Sequence, residues 1–119
     1  MERYLIYVCS PYSGDIQYNR LAALMFSRYV VEQGYIPITP HIYFTQFMID
    51  TIPEERELAF KMSFDLMELC DKMWVFVDSD NTITPGMQSE IEHANSIGLK
   101  IEYITVSDEL KVFILGGMR

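Results

Sequence analysis

Glu90 is the residue of this sequence whose position most strongly suggests chemistry. It falls in a helix predicted to begin at Pro85, on the side of the apolar positions that repeat at helical spacing, which are Met87, Ile91, Ala94 and Ile97. Glu92 falls on the opposite side. A carboxylate on a buried face costs free energy unless it is paired or faces a cleft. The pattern predicts that Glu90 points into a pocket, and the alternative is a partly exposed acid stabilised by the helix dipole.

Three other residues carry groups suited to proton transfer or hydrogen bonding. Asp65 lies beside the apolar positions of a helix predicted to begin at Pro53, and it is either a flanking residue or a second acid of the pocket. Asp71 precedes an apolar run, and we expect it to hydrogen-bond nearby backbone. His41 follows Pro40 at the end of a short predicted strand, where a loop hydrogen bond and a role in the pocket both stay open.

Two turns carry residues that allow a ligand to approach the backbone. Residues 10–14 (Ser-Pro-Tyr-Ser-Gly) follow the first apolar run, and Gly86 lies at the start of the helix that carries Glu90. Ordinary loop geometry is the alternative for both. The sequence has no phosphate-binding Gly-Lys-Ser/Thr, no Gly-x-Gly-x-x-Gly and no Gly-x-Ser-x-Gly. The predicted ligand contacts are Ser10, Pro11, Tyr12, Gly14, Pro40, His41, Asp78, Gly86, Met87 and Ser89.

Neither a metal nor a cofactor is expected in this pocket. It would contain one histidine, and the sequence has no histidine pair at a spacing of four residues. Cys9 and Cys70 lie in apolar runs and form no Cys-x-x-Cys pair. We predict that both are buried free thiols of a reducing compartment.

Apolar runs alternate with helical patterns along the chain. Strands are predicted at residues 4–9, 35–39, 73–77 and 100–106, with a possible fifth strand at 112–115. Helices are predicted over about residues 15–33, from Pro53 and from Pro85, the last ending at Gly98. An aromatic, irregular segment over residues 40–52 separates the second strand from the second helix. The helix from Pro53 is expected to bury Leu58, Met62, Leu66 and Leu69.

This alternation predicts an α/β fold built from right-handed βαβ units. We expect a single-domain Rossmann-like or flavodoxin-like three-layer sandwich with a four- to five-stranded parallel sheet over residues 1–119. Ligands of such sheets bind at the carboxyl ends of the strands. The segments predicted to converge there are 10–15, 39–47, 78–90 and the end of the fourth strand.

Composition limits the class of partner. The chain has 119 residues, half of them hydrophobic, which fits one domain. Its net charge of −8 argues against binding to a nucleic-acid polymer, although a small anionic ligand stays compatible with it. The first apolar run is too short for a signal peptide or a membrane span, so we expect a cytoplasmic protein with no membrane partner. Eight Met and eight Tyr favour a homo-oligomer.

Several short motifs, taken in order and spacing, resemble the nucleoside 2-deoxyribosyltransferase-like superfamily. The motifs are residues 6–12 (IYVCSPY), 71–76 (DKMWVF), 86–94 (GMQSEIEHA) and 98–100 (GLK), and the resemblance covers about residues 4–105. The chain looks most like a small branch of that superfamily from phages and Gram-positive bacteria. In that branch the Ser-Pro-Tyr turn, Pro40-His41, residues 53–56 and the Gly-Met-x-x-Glu helix recur together.

The resemblance implies roles for individual residues. Glu90 would be the nucleophile that attacks C1′ of the glycosyl group and forms a covalent ester, and Tyr7 would orient its carboxylate. The transferases carry two further acids at places where this sequence has Ser63 and Thr84. Asp65 therefore becomes the candidate for the acid that assists departure of the base.

Three functions stay open at this point. The first is an enzyme that cleaves or transfers the N-glycosidic bond of a small-molecule nucleoside or nucleotide, with His41 and the aromatic segment through Phe47 stacking on the base. The second is a non-catalytic nucleotide-binding module that senses or sequesters its ligand, which the hydroxyls at Ser63 and Thr84 favour. The third is an interaction domain without a ligand. The sequence fixes neither the base, the sugar nor the phosphate state.

Overall fold

The computed structural model describes residues 3–12 and 15–107. Strands and helices alternate through most of this part of the chain, and the predicted fifth strand at residues 112–115 lies outside it. The elements are β1 (Leu5–Cys9), α1 (Ile16–Glu32), β2 (Ile36–Ile38), α2 (Pro40–Phe44), α3 (Pro53–Met67), β3 (Lys72–Val77), α4 (Pro85–Ser96) and β4 (Lys100–Thr105).

The four strands form one parallel sheet in the order β2-β1-β3-β4. β1 is an inner strand, and its Tyr7 lies opposite Ile38 of β2 and Met73 of β3. Nearly all residues of β1 and β3 are buried, because helices cover both faces of the sheet. The predicted α/β fold with a parallel sheet is therefore confirmed.

Side chains of β1 alternate between two apolar cores. Ile6 and Val8 join the core on the α1 side, where Phe26 of α1 stacks on Phe76 of β3 with ring centroids 4.3 Å apart. Tyr7 and Cys9 point to the other face, which packs against α4 and the end of α3. Two chemically distinctive side chains of β1 thus lie on the face that α4 covers.

Local signals set the beginnings of the helices. The Asp15 side chain caps α1 by accepting a hydrogen bond of 3.0 Å from the backbone N–H of Tyr18. Thr84 caps α4 in the same way with the N–H of Met87, at 3.2 Å. The chain turns after α4 at Gly98, whose φ of 73° lies in the left-handed region that favours glycine. α4 therefore starts at the carboxyl end of β3, where the pocket was expected.

Asp71 ties β1 to β3 outside the regular ladder. Its carboxylate accepts a 2.7 Å hydrogen bond from the N–H of Leu5, and its own N–H donates to the Leu5 carbonyl at 2.8 Å. This bonding to backbone agrees with the expectation for Asp71. It fixes the register in which Tyr7 and Cys9 are presented to α4.

The packing of α3 differs from the prediction. Leu58 is 50% exposed and Leu69 is 69% exposed, whereas Met67 is fully buried. α3 contacts the core through its carboxyl-terminal end, where Phe64 stacks on His93 of α4 with ring centroids 4.2 Å apart. Its earlier turns line a cavity instead of packing on the sheet, so the full apolar stripe expected of a surface helix is not buried.

Two further predictions about local structure were wrong. The segment expected to be irregular contains the short helix α2, whose first position is Pro40, a residue whose fixed φ suits the start of a helix. Ile97, expected in the buried stripe of α4, is 38% exposed because it is the cap residue after the last turn, where the chain already turns toward β4.

Candidate functional site

A cavity of about 340 Å³ opens at the carboxyl end of the sheet. Three short segments that follow strands reach it, because parallel strands end at the same edge. Ser10 and Tyr12 follow β1, His41 lies on α2 after β2, and the start of α4 follows β3. The rest of the wall comes from residues 44, 45 and 48–50 and from one face of α3.

Glu90 projects from the inner side of α4 toward this cavity. Its neighbours Met87 and Ile91 are buried, whereas Glu92 is exposed. The phenol of Tyr7 donates a hydrogen bond to Oε2 of Glu90. The thiol of Cys9 lies 3.7 Å from Oε1. Both carboxylate oxygens thus have a donor from β1, and Glu90, half-buried as a whole residue, borders on the cavity.

Burial dominates the electrostatics of Glu90. Removal from water destabilises the ionised carboxylate and raises its pKa to about 7, although hydrogen bonds from Tyr7 and Cys9 lower it in part. The pKa of Tyr7 is raised well above its usual value, first by burial and then by the nearby Glu90 charge. Tyr7 therefore stays a neutral donor. Glu90 changes its charge near neutral pH, which is the range in which an acid, base or nucleophile is useful.

Ser63 and Thr84 line the same cavity, and each hydroxyl has a structural partner. Ser63 donates a 2.8 Å hydrogen bond to the carbonyl of Ala59, and a hydrogen bond with Tyr7 lowers the pKa of that phenol in part. Thr84 accepts from the N–H of Met87 as the cap of α4. Two hydroxyls therefore occupy the places where the resemblance to the transferases implies acids.

His41 is a neutral group of the cavity wall. Burial lowers its pKa to about 4, so the ring carries no charge at physiological pH. Its Nε2 lies 3.4 Å from the Ser10 hydroxyl, and its ring centroid is 5.6 Å from that of Tyr12. The geometry suits hydrogen bonding and stacking more than proton donation.

Asp50, Glu55 and Arg56 line the cavity, although none of them was among the predicted pocket residues. Glu55 accepts a hydrogen bond of 3.2 Å from the N–H of Ile49 and so closes the turn before α3. Burial raises the pKa of the Tyr12 phenol; Asp50 adds to that rise, and Arg56 opposes it. One signal could have found Glu55. Glu55, Ala59 and Ser63 recur every four residues, which places all three on one face of α3.

Asp65 does not lie on that face. It is exposed and absent from the cavity wall. A helix turns by about 100° per residue, so a residue two positions after Ser63 points about 200° away from it. The prediction of Asp65 as a second pocket acid is corrected by this geometry, and its alternative role as a flanking residue fits the structure.

The predicted ligand contacts divide into two groups. Ser10, Tyr12, His41, Gly86 and Met87 line the cavity, whereas Pro11, Pro40, Asp78 and Ser89 do not. Gly14 lies outside the described residues.

Local hydrogen bonds explain two members of the second group. The Asp78 carboxylate accepts from the N–H groups of Asp80 and Thr82 at 3.0 and 3.1 Å, and therefore shapes a turn. The Ser89 hydroxyl donates back to the Pro85 carbonyl at 3.2 Å on the exposed side of α4.

Within residues 3–12 and 15–107, no three His, Cys, Asp or Glu side chains cluster as metal ligands. The helices of this same part of the chain lack the length and apolar character needed to cross a membrane.

Solved structures share this fold. A 2-deoxyribosyltransferase from Bacillus psychrosaccharolyticus is 14% identical with a TM-score of 0.69, and the alignment covers 89% of this chain and 79% of that protein. A 2-desoxiribosyltransferase from Leishmania mexicana is 15% identical with a TM-score of 0.61, covering 87% and 65%. The CMP N-glycosidase of Clostridium botulinum is 17% identical with a TM-score of 0.53, covering 96% and 79%. At these identities the likeness establishes the fold.

No curated protein sequence matches this chain. One sequence family does match it, over residues 4–104, and that family is described as a domain of unknown function, DUF7768. The match spans β1 through almost all of β4 and includes every residue placed in the wall of the cavity. This chain therefore belongs to the DUF7768 family, with the fold of the 2-deoxyribosyltransferases.

Proposed function

We propose that this protein cleaves or transfers the N-glycosidic bond of a nucleoside or nucleotide, with Glu90 as the nucleophile. The observation that carries the proposal is a carboxylate on a cavity wall, bonded by Tyr7 and with a pKa of about 7. Proteins of this fold include two 2-deoxyribosyltransferases and a CMP N-glycosidase, which supports this class of bond.

The reaction follows from the chemistry of a carboxylate beside a sugar. Ionised Glu90 attacks C1′ while the bond from C1′ to the base nitrogen breaks, and the electron pair of that bond leaves with the base. The product is a glycosyl ester of Glu90. Water or the nitrogen of a second base then attacks C1′ and releases the carboxylate, which gives hydrolysis or transfer respectively.

Asp50 is the group we propose for accepting a hydrogen bond from the departing base. It lines the cavity that Glu90 borders, and its carboxylate forms no hydrogen bond or ion pair with another described residue. Asp65, the candidate from the sequence, does not line the cavity. A carboxylate from the loop before α3 would contact the base in place of the acids that the resemblance assigns to the positions of Ser63 and Thr84.

Arg56 is the group we propose for holding a phosphate or another anionic part of the substrate. Among the described residues that line the cavity it is the one charged basic side chain, because His41 is neutral. Arg56 makes no ion pair within 4 Å with any described residue. A free guanidinium in a pocket of an acidic protein favours an anionic ligand over a neutral one.

The decisive experiment incubates the protein with a panel of nucleosides and nucleoside monophosphates and separates the mixture by chromatography. Release of free base by the wild-type protein, and its loss in Glu90→Gln, supports the proposal. Equal release by both proteins would remove Glu90 from the mechanism.

A non-catalytic binding module is the second candidate. The hydroxyls of Ser63 and Thr84 already form hydrogen bonds with backbone groups. This favours the binding module, because neither hydroxyl can serve as the acid that assists departure of the base. Recovery of intact ligand together with a raised melting temperature would support this function. Self-association, a cytoplasmic location and a place in a phage and Gram-positive branch stay predictions.

A further inference from the structure

Cys9 lies directly under the carboxylate of Glu90. Its side chain is fully buried, its Sγ is 3.7 Å from Glu90 Oε1, and the same Sγ is 3.9 Å from the carbonyl oxygen of Met87. Tyr7 bonds the other carboxylate oxygen, Oε2. Two side chains of β1 therefore hold the carboxylate of Glu90, because residues 7 and 9 point to the same face of the sheet.

The thiol has one proton and two acceptors within reach. Burial, followed by the charge of Glu90, raises the pKa of Cys9 far above its usual value, so the sulfur keeps its proton throughout the physiological range. Cys9 is therefore a weak donor and not a nucleophile. Its proton has a stronger acceptor in Oε1 when Glu90 is ionised, and the Met87 carbonyl competes when Glu90 is neutral.

We propose that Cys9 is a positioning residue for Glu90, with a thiol proton that turns from the Met87 carbonyl to Oε1 when the carboxylate ionises. The contact stabilises the charged form of Glu90 and fixes the oxygen that Tyr7 does not hold. Its consequence for turnover rests on the proposed function, whereas the contact itself is measurable without any substrate.

Other groups near Glu90 must stay constant for a test of Cys9. Tyr7 faces it from β1 and Ser63 from α3. Asp50, Glu55, Arg56 and the neutral His41 line the same cavity. A substitution confined to Cys9 leaves all of these in place, so a change in the titration of Glu90 can be assigned to the thiol.

The direct experiment observes the S–H stretching band by infrared spectroscopy, in a spectral window free of other protein bands. The chain has two cysteines, so Cys70→Ser leaves Cys9 as the one thiol. In the wild-type protein, the thiol of Cys70 donates to the carbonyl of Leu66 at 3.4 Å, and its band is the matched control. We expect the Cys9 band to move to lower wavenumber as the pH rises through the titration of Glu90, and to stay fixed in Cys70→Ser combined with Glu90→Gln.

A second measurement titrates Glu90 itself by carbon-13 NMR of its side-chain carboxyl, assigned by difference with Glu90→Gln. Cys9→Ala should raise the measured pKa of Glu90 by about half a pH unit or more, because a donor to the charged form is lost. Cys9→Ser keeps a donor and should give a pKa below that of Cys9→Ala. Cys70→Ala should leave it unchanged.

The role of Cys9 would be overturned if the wavenumber of its S–H band did not change with pH. It would also be overturned if the pKa of Glu90 were the same in the wild-type and Cys9→Ala proteins. Neither result touches the proposed function, whose failure appears instead as intact nucleosides and nucleotides after incubation. If Cys9→Ala loses its fold, judged by near-ultraviolet circular dichroism, the infrared measurement on Cys70→Ser decides the question with the native Cys9 in place.

Discussion

The hydroxyl of Tyr7 donates a hydrogen bond to Oε2 of Glu90, although 83 positions separate the two residues in the sequence. Tyr7 lies on an inner strand of the sheet and Glu90 one turn inside α4. Their contact joins a buried inner strand of the sheet to the helix that borders the cavity. The carboxylate is therefore held in one orientation by groups whose own positions are fixed by packing.

The first prediction concerns turnover. Glu90→Gln should reduce release of base from the reactive nucleoside or nucleotide by about a thousandfold or more, because an amide cannot form the glycosyl ester. Glu92→Gln is the matched control, since it removes the same charge from the exposed side of α4 and should retain full activity. Chromatography of the released base measures both rates, and activity retained by Glu90→Gln would count against a nucleophilic role.

The second prediction concerns the pH profile. Glu90 must be ionised to attack, and its pKa in the free protein is about 7. The specificity constant kcat/KM should therefore rise with pH below about 7 and level off above it. The measurement uses saturating and limiting substrate at a series of pH values in buffers of constant ionic strength. A profile that is flat from pH 5 to pH 8 would contradict assignment of the titrating group to Glu90.

Tyr7→Phe provides the third prediction. The phenol stabilises ionised Glu90, so its loss should raise the pKa of the carboxylate and move the acidic limb of the profile to higher pH. We expect a fall in kcat of roughly tenfold or more at neutral pH, with a smaller effect at pH 8.5, where Glu90 is ionised in either protein. A uniform loss of rate at every pH would instead indicate that Tyr7 acts by packing alone.

Much of the fold was predictable because its signals are local. The continuous apolar runs of β1 and β3, the prolines at 53 and 85 and the glycine at 98 each fix the type or the end of one element. The inward position of Glu90 came from spacing alone, since i−3 and i+4 neighbours of a helix share its face.

The rest of the site depends on tertiary packing that periodicity cannot reveal. Leu58 and Leu69 look like core residues, yet α3 stands over a cavity and leaves them exposed. Asp65 and Ser63 are neighbours in sequence but lie on opposite sides of α3. Asp50 reaches the cavity only through the path of the loop between α2 and α3, for which the sequence gives no rule.

The fourth prediction concerns stability. The pKa of Glu90 is about 7 in the folded chain against 4.5 when it is free, so the folded state binds more protons between these values. The free energy of unfolding should therefore fall as pH rises from about 4.5 to about 7, by up to about 3 kcal/mol for this group, and then level off. Glu90→Gln has no such slope, so it should be more stable than wild type at pH 8 and similar at pH 4.5.

Urea titrations at the two pH values measure this difference. Glu92→Gln again serves as the control, because Glu92 is exposed and the variant leaves Glu90 in place, so it should keep the wild-type slope. If Glu90→Gln were the less stable protein at pH 8, the buried carboxylate would have to be stabilised by its partners more than it is destabilised by burial.

The fifth prediction tests the anionic part of the substrate. Arg56→Gln should raise KM for a nucleoside 5′-monophosphate by about tenfold or more and leave KM for the corresponding nucleoside nearly unchanged, since only the monophosphate offers a partner for the guanidinium. Arg28→Gln removes an equal charge from α1, where Arg28 forms an exposed i,i+4 ion pair with Glu32, and should alter neither value. The wild-type preference for the monophosphate should also weaken as salt rises. Equal effects of Arg56→Gln on the two substrates would place the phosphate elsewhere in the cavity or remove it from the recognised ligand.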